Sequence, residues 1–206
     1  MKVFQLKYRP QKISELDLEN AREVLAKIVV SKNMPRALLF AGPKGSGKTS
    51  AARAVAMAVN CLEPKGAEAC QKCVNCRELE KNNSLDIIEI DAASNRGIED
   101  VRALKEGAYL APSRLPNKVF IIDEVHMLTK EAFNALLKLI EEPPERTVFI
   151  LCTTEPEKIP ETILSRLTRV DFRRAKAAEL KRSVEKIIKG ESLEIAEEAL
   201  DYLISK

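Results

Sequence analysis

The sequence has no tryptophan, a single histidine and no apolar stretch longer than a strand. Each shortage removes a class of protein. The longest apolar runs, such as residues 148–152, fall far short of the roughly 20 residues a helix needs to cross a bilayer. Residues 1–13 carry three lysines and an arginine around no apolar core, so they do not read as a secretory signal. A cytoplasmic protein with no membrane partner is the expectation. His126, alone, makes no histidine-based metal site and is expected to be structural. Neither sign of charge dominates: 34 basic against 31 acidic residues leave a net charge of +3. Any nucleic-acid contact must therefore come from a local patch. Abundant lysine and glutamate without tryptophan suit a thermophilic protein. With 45% hydrophobic and 32% charged residues in 206, the chain is long enough for one core and a small appendage.

What is present begins with Gly42-Pro43-Lys44-Gly45-Ser46-Gly47-Lys48-Thr49, which fits G-x-x-x-x-G-K-[ST] in full. The apolar run 37–41 precedes it, and a helical, alanine-rich pattern starting at Ser50 follows; the loop residues and Ser50 are expected to bind the nucleotide. Glycines let consecutive amides curl around phosphate oxygens, and the helix start adds partial positive charge at the same place. In this motif Lys48 reaches the β and γ phosphates of a nucleoside triphosphate, and the Thr49 hydroxyl sits on Mg²⁺. A second element lies at 118–124, where an apolar strand ends in Asp123-Glu124. In a parallel sheet that end opens on the ligand crevice. Asp123 is expected in the Mg²⁺ shell, and Glu124 is placed to orient and polarise an attacking water. The strand 147–152 delivers Thr153 and Thr154 to the same sheet edge, where contact with a γ-phosphate or a water is expected.

Four cysteines, Cys61, Cys70, Cys73 and Cys76, fall in the spacing C-x8-C-x2-C-x2-C. In a reducing compartment this pattern points to a closed, structural tetrahedral Zn²⁺ site, with redox-active or unrelated free thiols as the other readings. Cys152 lies inside an apolar strand and reads as a core residue. Further strands are expected at 86–90 and 169–172. Helices are expected at 16–32, capped near Asp17 or Asn20, and at 98–110, 129–140, 177–189 and 194–204. The result is an α/β fold with a five-stranded parallel sheet over 1–174, a cysteine module at 61–76, and a separate helical unit starting at 175. From the residues alone, Arg96, Arg102 and Arg166 read as surface charges.

Taken in order, these motifs resemble the AAA+ ATPases and, within them, the gamma/tau clamp-loader family of bacterial DNA polymerase III. The resemblance rests on Tyr8-Arg9-Pro10, the phosphate loop, the four cysteines, Ile90-Asp91-Ala92-Ala93-Ser94, Asp123-Glu124-Val125-His126-Met127-Leu128, Phe133-Asn134-Ala135-Leu136-Leu137-Lys138, Glu141-Glu142-Pro143-Pro144 and Leu164-Ser165-Arg166. It implies an AAA+ core and the start of a small helical lid at 175–206. It implies an ATPase that works with other clamp-loader subunits (delta, delta prime, further gamma/tau copies) to load a sliding clamp onto primer-template DNA. Thr154 would be the sensor of the γ-phosphate, with Thr153 second. Arg166 would be an arginine finger for a neighbouring subunit, Arg96 and Arg102 would contact DNA, and Tyr8, Arg9 and Pro10 would border the adenine. The chain departs from the family at Asp17-Leu18-Glu19-Asn20, where Val-Gly-Gln-Glu is usual, and at Leu167, where Cys is usual. The second sensor and the collar would lie beyond Lys206, so a fragment is expected. The rivals are a nonenzymatic stator-like scaffold of the same fold and another AAA+ DNA motor.

Overall fold

Three strands of this chain have unbroken apolar interiors, and that fixes their place. Strands β1 (Ala37–Ala41), β3 (Lys118–Asp123) and β4 (Thr147–Thr153) are buried almost residue for residue, as parallel strands covered on both faces must be. The more polar β2 (Ile87–Asp91) and β5 (Thr168–Asp171) take the edges. In the computed structural model, which describes residues 3–81 and 84–205, all neighbours pair parallel in the order β2-β3-β4-β1-β5. The expected five-stranded parallel sheet is thus observed.

The helices, in chain order, are α1 (Phe4–Lys7), α2 (Glu19–Val29), α3 (Lys48–Asn60), α4 (Val74–Glu80), α5 (Ile98–Tyr109), α6 (Lys130–Glu141), α7 (Glu161–Leu164), α8 (Ala177–Glu191) and α9 (Glu197–Ser205). Side chains alternate across each strand, so the sheet has two cores. Leu38, Phe40, Ile121 and Ile150 pack with Leu25 of α2 and Ala51, Ala52 and Val55 of α3. Leu39, Phe120, Ile122 and Leu151 pack with Val101 and Leu104 of α5 and Leu136 and Leu139 of α6. The alanine-rich face of α3 lets that helix lie close on the sheet, which carries its first turn over the ends of β3 and β4.

Two expectations change. Helix α2 starts at Glu19 with Leu18 as its N-cap residue and no capping side chain of its own, so neither Asp17 nor Asn20 caps it. The Glu19 amide instead donates to Glu179 Oε1 of α8 at 3.0 Å. A carboxylate from a distant helix does the work usually done by a local Ser, Asp or Asn. The cysteine stretch also contains a helix, α4, too short for a periodic signal. It is held by Asn75, whose Nδ2 donates to the Asn60 carbonyl at 2.9 Å, while Asn60 Oδ1 accepts from the Asn117 amide at 2.7 Å. No described helix is long and apolar enough to cross a membrane.

Candidate functional site

The site forms where β1, β3 and β4 end together. Register pairs Ala41 with Thr153, and Gly42 continues the ladder by donating to the Thr153 carbonyl at 3.1 Å. The chain then turns through Gly45 (φ +79°) and Gly47 (φ +88°), left-handed positions that glycine adopts without strain. Helix α3 starts at Lys48 with Gly47 as a cap that offers no side chain, so the first amides of the helix stay open to a ligand. Lys48 is 6% exposed, and its ammonium bonds the carbonyls of Gly42 and Pro43 at 2.8 and 2.9 Å. Burial lowers its pKa, while Glu124 and Asp123 act in the opposite direction. Ser46 Oγ is buried without a hydrogen-bond partner among the described residues. A buried hydroxyl in that state calls for a polar ligand. The loop residues therefore fit a phosphate chain.

Thr49, on the first turn of α3, donates to Asp123 Oδ2 at 2.7 Å across 74 residues of sequence. Asp123 Oδ1 in turn accepts from the Glu124 amide at 3.0 Å. Glu124 itself is left-handed (φ 47°, ψ 44°) at the start of the short 3₁₀ turn Val125–Met127. A left-handed glutamate costs on the order of 1–3 kcal/mol and persists only where its surroundings hold it. Thr154 donates to Glu124 Oε2 at 3.0 Å. Asp123, Glu124, Thr154, Lys48 and Thr49 are thus brought together. Thr153 is fully buried and bonds His126 Nδ1 and the Glu155 amide, each at 3.0 Å, which leaves Thr154 as the threonine at the site. His126, expected to be structural, adjoins this cluster: its ring lies against Thr153, Glu124 and Glu155.

The other expected residues lie apart from this cluster. Arg9 Nε donates to Ser50 Oγ at 3.0 Å, and burial lowers the Arg9 pKa. Arg9 and Pro10 border a cavity of about 810 Å³ between α3 and β2 that no residue of Gly42–Thr49 lines. Tyr8 turns to α8, where its hydroxyl donates to Glu191 at 2.8 Å and its ring lies over Gly190. Arg166 pairs through Nε with Glu141 Oε1 at 2.7 Å and through Nη1 with the Thr162 carbonyl at 2.6 Å. Arg96 and Arg102 are exposed near the start of α5, Arg102 paired with Glu99.

The four cysteine sulfurs lie within 4.8 Å of one another, a group that could hold a metal ion, with Cys70 and Cys76 at 4.0 Å. Zn–S bonds of about 2.3 Å imply tetrahedral edges of about 3.8 Å, so small side-chain movements would close the set on such an ion. Amides already point at the sulfurs: Cys70 N–H at Cys61 Sγ (3.1 Å), Cys73 N–H at Cys70 Sγ (3.3 Å). Burial pushes the Cys61 and Cys76 thiols up. Amide donors lower Cys70, and although burial works against it, amides and neighbouring thiols bring Cys73 down to about 6. Cys152 is fully buried among β-strand side chains, its thiol pushed well up by burial.

Known proteins share the sequence and the fold of this chain. The model of the family described as "DNA polymerase III, delta subunit" matches residues 18–176. The tau subunit of DNA polymerase III from Bacillus subtilis is 44% identical over 199 residues, covering 96% of this chain and 35% of the relative. The Escherichia coli tau subunit is 41% identical over 198 residues, covering 96% and 31%. The chain therefore spans about a third of the length of these relatives. Among solved structures, a gamma-subunit-related DNA polymerase III protein of Thermotoga maritima superposes with a TM-score of 0.59 at 26% identity, covering 82% of this chain and 51% of that one. The Holliday junction branch migration motor RuvB of the same organism has a TM-score of 0.66 at 21% identity, covering 96% and 59%, a likeness of fold alone. With the matched family spanning most of the sheet and its helices, and gamma/tau subunits aligned over nearly all of the sequence, the chain belongs to the DNA polymerase III clamp-loader subunits of the gamma/tau kind.

Proposed function

We propose that this chain is the ATP-binding and ATP-hydrolysing motor region of a clamp-loader subunit. It would act with delta, delta prime and further gamma/tau copies to place a sliding clamp on primer-template DNA. The observation that carries the reading is the meeting of Thr49 with Asp123 beside Glu124 and Thr154, at the mouth of the phosphate loop. Loop amides, the Ser46 hydroxyl and Lys48 hold the phosphates. Thr49 and Asp123 supply the oxygens for Mg²⁺, which when bound neutralises charge on the β and γ phosphates. Glu124, one oxygen of which is engaged by Thr154, presents the other to a water. As that water's oxygen bonds to the γ-phosphorus, its proton passes through Glu124 to solvent or the released phosphate, the β–γ bridge breaks and ADP and phosphate form. Arg166 serves the nucleotide of a neighbouring subunit. Arg96 and Arg102 contact DNA phosphates, which position rather than read sequence. The four cysteines hold a structural Zn²⁺ that keeps α4 and the loop before it in place. The lid at 175–206 is carried by α8 and α9.

The test is nucleotide binding and turnover by the full-length protein with its partner subunits. Lys48→Ala should abolish ATP binding, and Glu124→Gln should keep binding while suppressing turnover. Equal ATP retention by wild type and Lys48→Ala would favour a scaffold instead.

A further inference from the structure

The chain's one histidine sits nearly buried between two carboxylates. The His126 side chain is 5% exposed; Nδ1 lies 3.4 Å from Glu124 Oε2 and 3.0 Å from Thr153 Oγ1, while Nε2 lies 3.0 Å from Glu155 Oε1. Glu155 is held in turn by Lys158 at 2.7 Å. A polar ring buried to this degree needs partners on both nitrogens; here Nδ1 has Thr153 and Nε2 has Glu155, with Glu124 Oε2 as a second, longer contact on Nδ1. Thr153 Oγ1 accepts from the Glu155 amide at 3.0 Å, which fixes the loop that carries Glu155. The Met127 amide donates to the Glu124 carbonyl at 2.9 Å, closing the turn that puts Glu124 and His126 side by side.

We propose that His126 is a positioning residue that, oriented by Glu155, holds Glu124 in its working rotamer at the mouth of the phosphate loop. This rests on the reading of Glu124 as the water-orienting group. Glutamate has three rotatable bonds, and exposed to water it would sample many rotamers. Thr154 and His126 approach the same oxygen, Oε2, from β4 and from the 3₁₀ turn. Two contacts on one oxygen leave Oε1 as the oxygen free to face a water. Glu155 and Lys158 stand behind the ring, and Nδ1 lies between the Thr153 hydroxyl at 3.0 Å and Glu124 Oε2 at 3.4 Å, so the ring holds Glu124 when Nδ1 carries its proton. In the chain Lys158–Glu155–His126–Glu124, only Glu124 would touch the reacting atoms. A group that orients another in this way acts on turnover and not on nucleotide affinity, because Lys48 and the loop amides are untouched.

The experiment uses the full-length protein assembled with its partners. His126→Ala should lower kcat by about 10- to 100-fold, the scale on which a misplaced catalytic group costs rate. Nucleotide affinity should stay within about twofold, since the binding groups remain. His126→Asn, whose amide nitrogen replaces Nδ1, should recover most of the lost turnover. His126→Gln, which replaces Nε2 instead, should not. A second arm does not depend on turnover. The imidazole ¹⁵N signals that vanish in His126→Ala are followed in Glu124→Gln and Glu155→Gln; the first should move Nδ1 and the second Nε2. Wild-type kcat in His126→Ala, or an Nδ1 signal unmoved by Glu124→Gln, overturns the proposal. If Glu124→Gln itself turns over ATP like wild type, the role of Glu124 falls first, and the failure is of that reading.

Discussion

The Thr49 hydroxyl donates a 2.7 Å hydrogen bond to Asp123 Oδ2, which ties the first turn of α3 to the end of β3. β4 lies between β1 and β3, so the helix must cross over a strand to make this contact. Two oxygens on separate elements suit a hard divalent cation bound partly by protein and partly by phosphate. Asp123→Asn keeps a group for Thr49 to meet but removes the charge. For wild type, adding EDTA should raise the nucleotide Kd about tenfold or more, equivalent to about 1.4 kcal/mol. For Asp123→Asn the Kd with and without Mg²⁺ should coincide. Titration of a fluorescent nucleotide measures both, and a variant as dependent on Mg²⁺ as wild type would remove Asp123 from the metal.

Gly42 is a packing requirement before it is a phosphate contact. A Cβ there would lie 1.9 Å from the carbonyl oxygen of Phe172, which follows β5 and whose amide donates to the Ala41 carbonyl at 2.7 Å. Gly42→Ala must push the ends of β1 and β5 apart, at a cost of about 1–3 kcal/mol, or about 2–12 °C in Tm for a chain of this size. Gly45 has open space around its missing Cβ, and only its φ of +79° resists a side chain. Gly45→Ala should therefore lose about 1–2 kcal/mol through left-handed strain alone. Thermal melts that rank Gly42→Ala at or above Gly45→Ala would contradict the close contact.

Glu179 joins three parts of the chain. It accepts from Arg173 at 2.8 and 2.9 Å, from the Lys176 amide at 2.8 Å and from the Glu19 amide at 3.0 Å. The Arg173 guanidinium, helped by the two amides and opposed by burial, holds its pKa at about 2, below the ordinary 4.5. The folded value is the lower one, so this contribution is complete above pH 4.5 and is lost as pH falls toward 2. Glu179→Gln should cost about 1.5–3 kcal/mol at neutral pH, the range for hydrogen bonds to a charged group. Between pH 4.5 and 2 wild type should lose stability faster than the variant, so that their melting temperatures converge. Parallel curves would remove Glu179 as the anchor of α8 on α2.

The sheet was legible because burial on both faces leaves runs such as Ala37–Ala41 and Thr147–Thr153 nothing else to be. The phosphate loop was legible because its glycines and Lys48 act through the backbone and local geometry. Contacts between elements distant in sequence were not legible. The cap on Glu19 comes from Glu179, and the partner of Arg166 is Glu141; neither pairing has a periodicity or a spacing. A lone histidine carries no pattern, so the contacts that folding gives His126 with Glu124 and Glu155 have no signal in the sequence.

The cysteine cluster predicts a metal content. Thiolates bind metal only after losing their protons, so Cys61 and Cys76, whose thiols burial pushes up, are the ones a metal must deprotonate. Protein purified under reducing conditions should contain about one zinc per chain, as a closed site of four sulfurs holds one ion. Chelation should speed amide exchange across Val74–Glu80 while leaving Lys48–Asn60 protected. Cys76→Ser should do the same without a chelator. Zinc well below one per chain, with α4 already protected, would mean that the thiols hold the loop unaided.

Arg166 yields a prediction about neighbours. Within its own chain it pairs with Glu141 at the end of α6 and with the Thr162 carbonyl of α7, whereas Lys48 faces the carbonyls of Gly42 and Pro43. Its side chain is 39% exposed, enough for the guanidinium to exchange Glu141 for a phosphate presented from outside. If it serves a neighbouring subunit, Arg166→Ala should keep nucleotide affinity and lose turnover by about 10³-fold, the lower range for an arginine finger. Lys48→Ala fails for the opposite reason, since it binds no nucleotide but keeps its arginine. Assemblies made from both variants together should therefore recover turnover that neither shows alone, because an intact arginine meets an intact phosphate loop at a fraction of the junctions. Phosphate release measured across mixing ratios should peak at intermediate composition. A flat profile at the level of the single variants would show that Arg166 acts within its own chain or not at all.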